Sequence, residues 1–523
     1  MIKILLQKVK NQTFSLNMLF ILVFFICFFV YGYNKILFSP PVGVHQWRNS
    51  ISAAFAKNYY YNSFDYKTRT NALLADNRSS DVTIVEFPIV YYFVSILYRI
   101  FGPHEFLYRI VNILIGFLGL FCLFKAALLL FKDKWYALAV SVFVFTSPIF
   151  VFYTNNFIPD ATCLSIEFIG MYFFFKYYYH RNVKHWYLSL FFMLIGGLIK
   201  TPSLIFFFSI SAIGLYNIFI EKKKYFPSFK IFFLSVTGVL LVLFAWYAYS
   251  KIYSDIHGGS VSPVGIRPLW ILPKDIINIT LDRMSERFNK GDYHSSKFLL
   301  LTLLLLIINA FFYKKYPRLL NQLVILTVFG AISFTLLFFR SMRQHDYYQL
   351  GNLVIIPIIY LSFFTMLYNQ YPKIYQSLIT KGFLVVIMVL LINDCRINMN
   401  KRFCNSDWSY YSSMKKIYQF GELEPYLRRL GIERNDIVYA TPDISINISL
   451  YLMNQKGFTD YGSQHLSPID RLNYLKERGL EYVIVGDRKE VANFDQLENH
   501  FGNKIGQFGT TEIYKVVKTI EGN

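Results

Sequence analysis

Long apolar runs, interrupted by short polar turns, fill roughly the first three quarters of the 523-residue chain. In residues 14–33, 135–153 and 297–313 almost every position is hydrophobic. A helix of about 20 apolar residues crosses the ~30 Å hydrocarbon core of a bilayer. The pattern therefore predicts an α-helical polytopic membrane protein.

About eleven such runs are predicted to span the membrane. The first is too long for the apolar part of a signal peptide and no small-residue cleavage site follows it, so we interpret it as a retained span. Residues 89–101, after Glu86-Phe87-Pro88, are amphipathic and shorter, which is typical of a helix lying at the membrane interface. The predicted spans are 14–33, 108–131, 135–153, 161–179, 187–199, 203–220, 230–249, 297–313, 319–339, 347–368 and 378–394.

Composition and charge support this interpretation. A content of 54% hydrophobic and 16% charged residues lies outside the range of soluble globular proteins. The net charge of +21 does not indicate a nucleic-acid partner, because Lys and Arg gather in short loops between spans, as the positive-inside rule describes. Lys3, Lys8 and Lys10 place the N-terminus inside, and eleven spans place the C-terminus outside. Large outside loops are then expected at 34–103 and 250–296.

The remainder of the chain has the pattern of a small soluble α/β domain. We assign 1–395 to a transmembrane module and 396–523 to this outside domain. It contains no phosphate loop and no nucleotide-binding glycine pattern. Alternation and flanking turns predict strands at 436–440, 482–486 and 512–517, and helices at 444–453, 469–478 and 491–500.

Ionisable residues within spans, or in the short turns between them, are the first candidates for function, because a charge is costly there unless something holds it. Several sequence-distant segments place such residues at the predicted outside ends of the spans. Carboxylates, several cations and two histidines on one membrane face suggest a shared site. The candidates are His45, Arg48, Glu86, Asp160, Lys200, Arg340, Arg343, His345 and Asp346, with Tyr347 beside them.

Structural alternatives exist for each of these residues. Asp160, which follows Pro159, could cap a helix N-terminus, where free amide groups and the helix dipole favour Asp. Lys200 could extend to the lipid headgroups, and Arg340 and Arg343 could bind lipid phosphates. Glu167, two helical turns from Asp160 on one face, could be the buried partner of a cation.

The order of several motifs along residues 14–370 resembles the bacterial glycosyltransferase family 39. These proteins are polytopic transferases of the GT-C superfamily, similar to protein O-mannosyltransferases and to lipid A aminoarabinose transferases. No motif covers the C-terminal domain. The motifs that carry the resemblance are His45-Gln46-Trp47-Arg48, Glu86-Phe87-Pro88, His104-Glu105-Phe106-Leu107-Tyr108-Arg109, Ser147-Pro148, Pro159-Asp160, Gly196-Gly197-Leu198-Ile199-Lys200-Thr201-Pro202 and His345-Asp346-Tyr347-Tyr348.

The resemblance implies transfer of a sugar from a polyprenyl-phosphate carrier to a glycan, lipid or protein acceptor at the outer face of a bacterial inner membrane. It implies one carboxylate in the first outside loop and another before the fourth span, which Asp160 matches. The sequence departs at the first position, because Ile51 stands where relatives often have Asp. Asp160 and His45 are then the expected catalytic residues, with Asp160 as the base and His45 assisting it.

The other candidates would bind the substrate and its phosphate: Arg48, Glu86, Lys200, Arg340, Arg343, His345, Asp346 and Tyr347. Some GT-C relatives use a divalent metal, but Asp160 and Glu86 alone are too small a ligand set to assign one. Two other functions fit a polytopic chain. A transporter or lipid flippase would move a lipid without forming a covalent product, and an O-antigen polymerase or ligase would use a diphosphate-linked oligosaccharide.

Overall fold

The computed structural model describes residues 17–221, 225–258, 265–404, 415–491 and 494–517, and most of them are helical. The chain separates into two compact units. The membrane unit takes in the described parts of Met1–Leu37, Arg109–Ala248 and Val264–Arg402. The outer unit takes in those of Phe38–Tyr108, Tyr249–Pro263 and Phe403–Asn523.

Helices are numbered along the described chain. Up to residue 344 they are α1 (Asn17–Val30), α2 (Tyr33–Ile36), α3 (Gln46–Tyr61), α4 (Ile89–Phe101), α5 (Glu105–Phe131), α6 (Lys134–Val144), α7 (Pro148–Thr154), α8 (Asp160–His180), α9 (Val183–Ile199), α10 (Ile205–Tyr216), α11 (Phe229–His257), α12 (Lys274–Lys290), α13 (Ser296–Phe311), α14 (Arg318–Leu337) and α15 (Phe339–Gln344). Beyond it they are α16 (Ile355–Gln370), α17 (Pro372–Gln376), α18 (Leu378–Cys404), α19 (Glu424–Arg429), α20 (Ile448–Leu452), α21 (Pro468–Lys476) and α22 (Phe494–Phe501).

Six helical segments of the described chain are long and apolar enough to cross a membrane: Glu105–Phe131, Thr201–Glu221, Phe229–His257, Arg318–Leu337, Asp346–Gln370 and Leu378–Phe403. The pair α6 and α7 would make a seventh. The other four predicted spans coincide with helices α1, α8, α9 and α13, three of which are apolar but shorter. The helical membrane class is therefore confirmed, and the count of eleven spans stays a prediction.

The predicted span 135–153 is not one straight helix. It bends by 78° between α6 and α7. Pro148 has no N–H to donate, so the helix must end before it and can restart with proline at its first position. The freed backbone oxygen of Phe143 lies 2.8 Å from Nε2 of His294, and Ser147 donates to the Tyr293 oxygen at 2.6 Å. Burial lowers the pKa of His294 to about 4, so the ring stays neutral and its Nε2–H donates.

The outer unit is built on a five-stranded sheet with the order β4-β3-β5-β7-β6. Strand β3 pairs in parallel with β4 and β5, while β7 pairs antiparallel with β5 and β6. A two-stranded antiparallel sheet in the first loop precedes it. The strands are β1 (Thr68–Arg69), β2 (Val82–Thr83), β3 (Val438–Thr441), β4 (Gly457–Phe458), β5 (Tyr482–Val485), β6 (Asn503–Phe508) and β7 (Thr511–Lys515).

The long loop after the first span, predicted to lie outside, belongs to the same unit as the C-terminal domain, whereas a boundary at residue 395 would assign it to the membrane module. The reason is backbone pairing. The Gly457 amide donates to the Asn71 oxygen at 3.0 Å, and the Leu73 amide donates back to the Gly457 oxygen at 2.9 Å. Asn447 Oδ1 accepts from the Asn71 amide at 2.9 Å, and Leu73 packs in the hydrophobic core below the sheet.

Candidate active site

Asp160 is the first residue of α8 and is buried, with 5% of its surface exposed. Its Oδ2 lies 3.9 Å from Nζ of Lys200, which ends α9. Helix α8 has Pro159 as its N-cap, so Asp160 stands in the first turn, where the helix dipole favours a negative charge. The two residues thus form an ion pair whose separation exceeds hydrogen-bond length.

Two aromatic rings flank the Lys200 ammonium. Its Nζ is 5.9 Å from the ring centres of both Tyr347 and Tyr348, within the range of cation–π attraction. The ring of His345 lies 5.1 Å from that of Tyr347. The structure therefore links four of the predicted site residues: Asp160 and Tyr347 lie beside the Lys200 ammonium group, and His345 lies beside Tyr347.

Close backbone packing holds this arrangement. Tyr347 and Tyr348 lie on a 3₁₀ helix, Asp346–Val354, which packs on another, Thr201–Leu204, directly after Lys200. A Cβ atom on Gly351 would lie 2.2 Å from Cβ of Pro202, so only glycine permits this approach. The two segments that carry the ammonium and its aromatic neighbours are thus held together at one point.

Asp346 lies in a buried hydrogen-bond network in the protein interior. It accepts from the Tyr153 hydroxyl at 2.5 Å and from Nη2 of Arg402 at 2.7 Å. Asp346 and Arg402 each expose 5% of the side chain. Sequence analysis expected Asp346 to bind substrate, whereas these contacts direct both of its oxygens toward Tyr153 and Arg402. We interpret Asp346 as a positioning residue.

The predicted phosphate ligands Arg340 and Arg343 differ from Lys200. The side chain of Arg340 is exposed and that of Arg343 is half-buried. Among the described residues, no hydrogen bond or ion pair joins either guanidinium to Asp160 or Lys200. They are not part of the group around Lys200.

In the outer unit, Arg48 and Glu86 form a buried ion pair. Glu86 also accepts from the Tyr91 hydroxyl at 2.9 Å, and Arg48 donates to Ser52 at 2.9 Å. Burial, and next the adjacent Glu86, raise the pKa of Tyr91, so its hydroxyl stays protonated and donates. Glu86 thereby fixes the guanidinium of Arg48.

Arg48 lies on α3, which begins after His45. His45 is the N-cap of this helix and has a left-handed backbone with φ of 56°. Ile51, one turn further, is buried with 2% of its surface exposed. The position where relatives often have Asp is thus a packed apolar side chain in this chain. Any carboxylate chemistry must come from elsewhere.

Comparisons with known proteins identify the fold. Residues 85–249 match the family described as dolichyl-phosphate-mannose-protein mannosyltransferase. ArnT from Cupriavidus metallidurans, bound to undecaprenyl phosphate, is similar with a TM-score of 0.59 and 11% identity, over 97% of this chain and 99% of that one. The chain has the GT-C fold.

Two further GT-C structures agree. The oligosaccharyltransferase of Archaeoglobus fulgidus in complex with Zn and sulfate matches with a TM-score of 0.53 and 10% identity, over 94% of this chain and 73% of that one. The arabinofuranosyltransferase AftD from Mycobacteria matches with a TM-score of 0.52 and 10% identity, over 94% of this chain and 39% of that one. No curated protein matches the chain by sequence. The predicted resemblance is confirmed at the level of the fold.

Glu167 in this GT-C chain has a different partner from the one expected. It is fully buried on α8, and its Oε1 accepts from the Phe206 amide at the start of α10 at 3.1 Å. No cation pairs with it among the described residues. The expected buried cation is therefore replaced by the free amide of a helix N-terminus.

Two points remain from the sequence analysis: whether a metal site is present, and why Arg402 was missed. Within the described chain, no group of three or more His, Cys, Asp or Glu residues is placed to hold a metal ion. Sequence analysis missed Arg402, because the residue lies beyond the last predicted span, 378–394, in the part of the chain assigned to the outside domain. Successive residues of a helix are rotated by about 100°. If the last helix continues to residue 402, Lys401 and Arg402 therefore point in different directions, and this was the available signal that the two residues could have different partners.

Proposed function

We propose that this GT-C protein is a membrane glycosyltransferase that moves a sugar from a polyprenyl-phosphate carrier to a hydroxyl acceptor in the bacterial cell envelope. The observation that carries the proposal is the buried Asp160 beside Lys200, in a chain with the GT-C fold. Solved relatives support the donor class, since ArnT was solved with undecaprenyl phosphate and the Archaeoglobus fulgidus oligosaccharyltransferase with a dolichol-phosphate.

Asp160 acts as the general base in this proposal. The acceptor oxygen attacks the anomeric carbon while its proton passes to a carboxylate oxygen of Asp160. The bond between that carbon and the phosphate oxygen breaks, and its electron pair leaves with the polyprenyl phosphate. The carboxylic acid then returns its proton to solvent. A positioned base of this kind contributes about 10²- to 10⁴-fold.

Lys200 binds the leaving phosphate. An ammonium group forms charge-assisted hydrogen bonds with phosphate oxygens, which strengthen as negative charge develops on the leaving oxygen. Its present contact with Asp160 Oδ2, at 3.9 Å, is longer than a hydrogen bond. The Lys side chain is flexible enough to turn toward a phosphate, and Tyr347 and Tyr348 flank its ammonium group.

The remaining residues that the resemblance selects keep their predicted roles in this proposal. Arg48 binds phosphate in this proposal, and its ion pair with Glu86 keeps the guanidinium in place. A role of His45 in assisting the base stays a prediction from the resemblance. Arg340, exposed at the start of α15, and Arg343 bind lipid phosphates beside the site.

Membrane orientation is part of the proposal. The N-terminus faces the cytoplasm and the C-terminal domain faces the periplasm or the exterior, because Lys and Arg cluster in the loops that follow α5, α8 and α10. Labelling of single cysteines introduced at Lys134 and Gln464 with a membrane-impermeant maleimide measures this directly. Labelling of the Lys134 variant in intact cells would contradict the orientation.

Purified protein in nanodiscs with synthetic undecaprenyl-phosphate hexoses and pentoses tests the function. Release of undecaprenyl phosphate together with a glycosylated acceptor is expected, and Asp160→Asn abolishes it while the protein stays inserted. Asp282→Asn on the exposed face of α12 is the matched control and retains transfer. The same assay with EDTA, or with added Mg²⁺ or Mn²⁺, measures whether a divalent metal takes part.

Three outcomes would overturn the proposal. Full activity of Asp160→Asn would remove its assigned base. Movement of a labelled lipid between leaflets with no covalent product would favour a flippase. Use of a diphosphate-linked oligosaccharide, with no reaction of the monophosphate donors, would favour an O-antigen polymerase or ligase.

A further inference from the structure

A second cavity lies at the far end of α8 from Asp160. Its volume is about 460 Å³, and Tyr178 and Tyr179 of α8 line it. Asp160 and Tyr178 are separated by eighteen positions of one helix, which corresponds to roughly 27 Å at a rise of ~1.5 Å per residue. That distance approaches the ~30 Å thickness of the hydrocarbon core, so the cavity lies near the opposite membrane interface.

The polar part of this cavity favours an anion. Lys132, Arg318 and Glu221 line it, which leaves one net positive charge among these side chains. Arg318 pairs with Glu221, while Lys132 makes no ion pair with any other described residue. Asn217 and Asn369 add amide groups that can donate to an oxygen anion.

The rest of the lining suits a lipid. Leu130 and Leu320 are buried apolar side chains that form part of the wall. Tyr179 and Tyr368 expose 47% and 38% of their surfaces, as expected for tyrosines at the level of lipid headgroups. Hydrogen-bond donors and cations beside an apolar wall match the part of a phospholipid where the phosphate headgroup meets the acyl chains.

We propose that this cavity binds the phosphate headgroup of an anionic phospholipid, at the membrane interface opposite the candidate active site. Lys132 is the principal contact with the phosphate, and Arg318 adds charge while it remains paired with Glu221. Leu130 and Leu320 contact the first acyl carbons. The site is separate from the glycosyl donor, because its volume suits a headgroup and because the length of α8 separates it from Asp160.

Native mass spectrometry of the full chain in detergent tests this, with phosphatidylglycerol or phosphatidylcholine added in equal amounts. Phosphatidylglycerol should be retained preferentially. Lys132→Gln should weaken its retention about fivefold, the effect of one cation at an anionic membrane surface. Lys134→Gln, which removes the same charge two positions away and outside the cavity lining, should leave it unchanged.

A second variant blocks the cavity sterically. Asn369→Trp keeps every charge and places a large side chain in the lining of the cavity, so it should also lower phosphatidylglycerol retention. Arg318→Gln is less suitable alone, because it leaves Glu221 without its guanidinium. The exposed position of Lys132 means that its substitution should not impair folding.

Equal retention of the two lipids, or equal retention by Lys132→Gln and Lys134→Gln, would overturn the proposal. Protection from thermal unfolding by millimolar inorganic phosphate, with no preference between lipids, would identify a free-phosphate site instead. No glycosyl donor is present in this experiment. Its result is therefore independent of whether Asp160 is the base for sugar transfer.

Discussion

Two buried aspartates of the membrane unit, Asp160 and Asp346, each lie beside a cation, but the cations differ in kind and in distance. Asp346 contacts Nη2 of Arg402 at 2.7 Å and the Tyr153 hydroxyl at 2.5 Å. Asp160 contacts Nζ of Lys200 at 3.9 Å. The difference follows from the cations, because a guanidinium has a rigid planar fork and an ammonium group sits on a flexible stem.

The comparison helps to distinguish a buried carboxylate that positions other groups, such as Asp346, from one that is proposed to accept a proton, such as Asp160. Both oxygens of Asp346 accept close hydrogen bonds, so the residue can hold the start of the Asp346–Val354 segment in place. At Asp160 the neighbouring cation is an ammonium group on a flexible stem, which suits the proposed contact of Lys200 with a leaving phosphate. Burial and charge alone would not have distinguished these two residues.

Matched amide substitutions should give the largest effects. Asp160→Asn is expected to lower the transfer rate by about 10²- to 10⁴-fold with little change in thermal stability. Asp346→Asn removes the counter-charge of a buried guanidinium, so it is expected to destabilise the fold by about 3–5 kcal/mol. Transfer per folded molecule and thermal unfolding in nanodiscs distinguish the two. A stable but inactive Asp346→Asn protein would break the comparison.

Removing both members of the Asp346–Arg402 ion pair tests whether the loss of stability comes from an unpaired buried charge. Arg402→Met alone leaves a buried carboxylate without its cation and should cost about 3–5 kcal/mol. Adding Asp346→Asn should recover part of that loss, because no buried charge is left unpaired and the amide oxygen still accepts from Tyr153. Unfolding free energies of the two single variants and the double variant form a double-mutant cycle. Strict additivity would contradict the assignment.

Substitution of Lys200 should affect the donor more than the fold. Lys200→Met removes a charge-assisted hydrogen bond to phosphate, which corresponds to a loss of about 10- to 100-fold in kcat/KM. Lys200→Arg should retain part of the activity, since it keeps the charge but changes the geometry. Steady-state kinetics with varied donor measure both. Lys373→Met, an exposed lysine on α17, is the control and should match the unmodified protein.

The membrane helices could be predicted because apolar runs of spanning length have few alternatives, and each predicted span coincides with a helix. The break before Pro148 was not predicted, since its hydropathy continues on both sides and only the backbone chemistry of proline ends the helix. The grouping of residues 38–108 with the C-terminal sheet was also missed. Strands β1 and β2 have two residues each, too few to show an alternating pattern.

The candidate site was only partly predictable. Lys200, His345 and Tyr347 were selected from motifs, and the structure gathers them near Asp160. The sequence does not show which groups the Asp346 oxygens contact. Asp346 was therefore assigned to the substrate, and Arg402 was not recognised as its partner. Such pairings depend on contacts between residues 56 positions apart.

The smallest effect is expected where two backbone segments touch. Gly351→Ala places a Cβ against Pro202, and overpacking of this kind costs about 1–3 kcal/mol. The shift should raise the donor KM, because Lys200 lies two residues before Pro202. Gly382→Ala has open space around the new methyl group and should be neutral or slightly stabilising. Equal KM values for the two variants would show that this contact does not position Lys200.

The network of Asp346 also orders events during synthesis. Tyr153 precedes Asp346 by 193 residues, and Arg402 follows it by 56. At about 5–20 residues per second, roughly 3–11 s pass in which the carboxylate has been made and its guanidinium has not. The nascent chain must therefore keep an uncompensated charge until the last membrane helix is complete. Pulse-chase lifetimes of chains stopped at residue 395 and at residue 404 would show whether release at the earlier point leaves a substrate for membrane proteases.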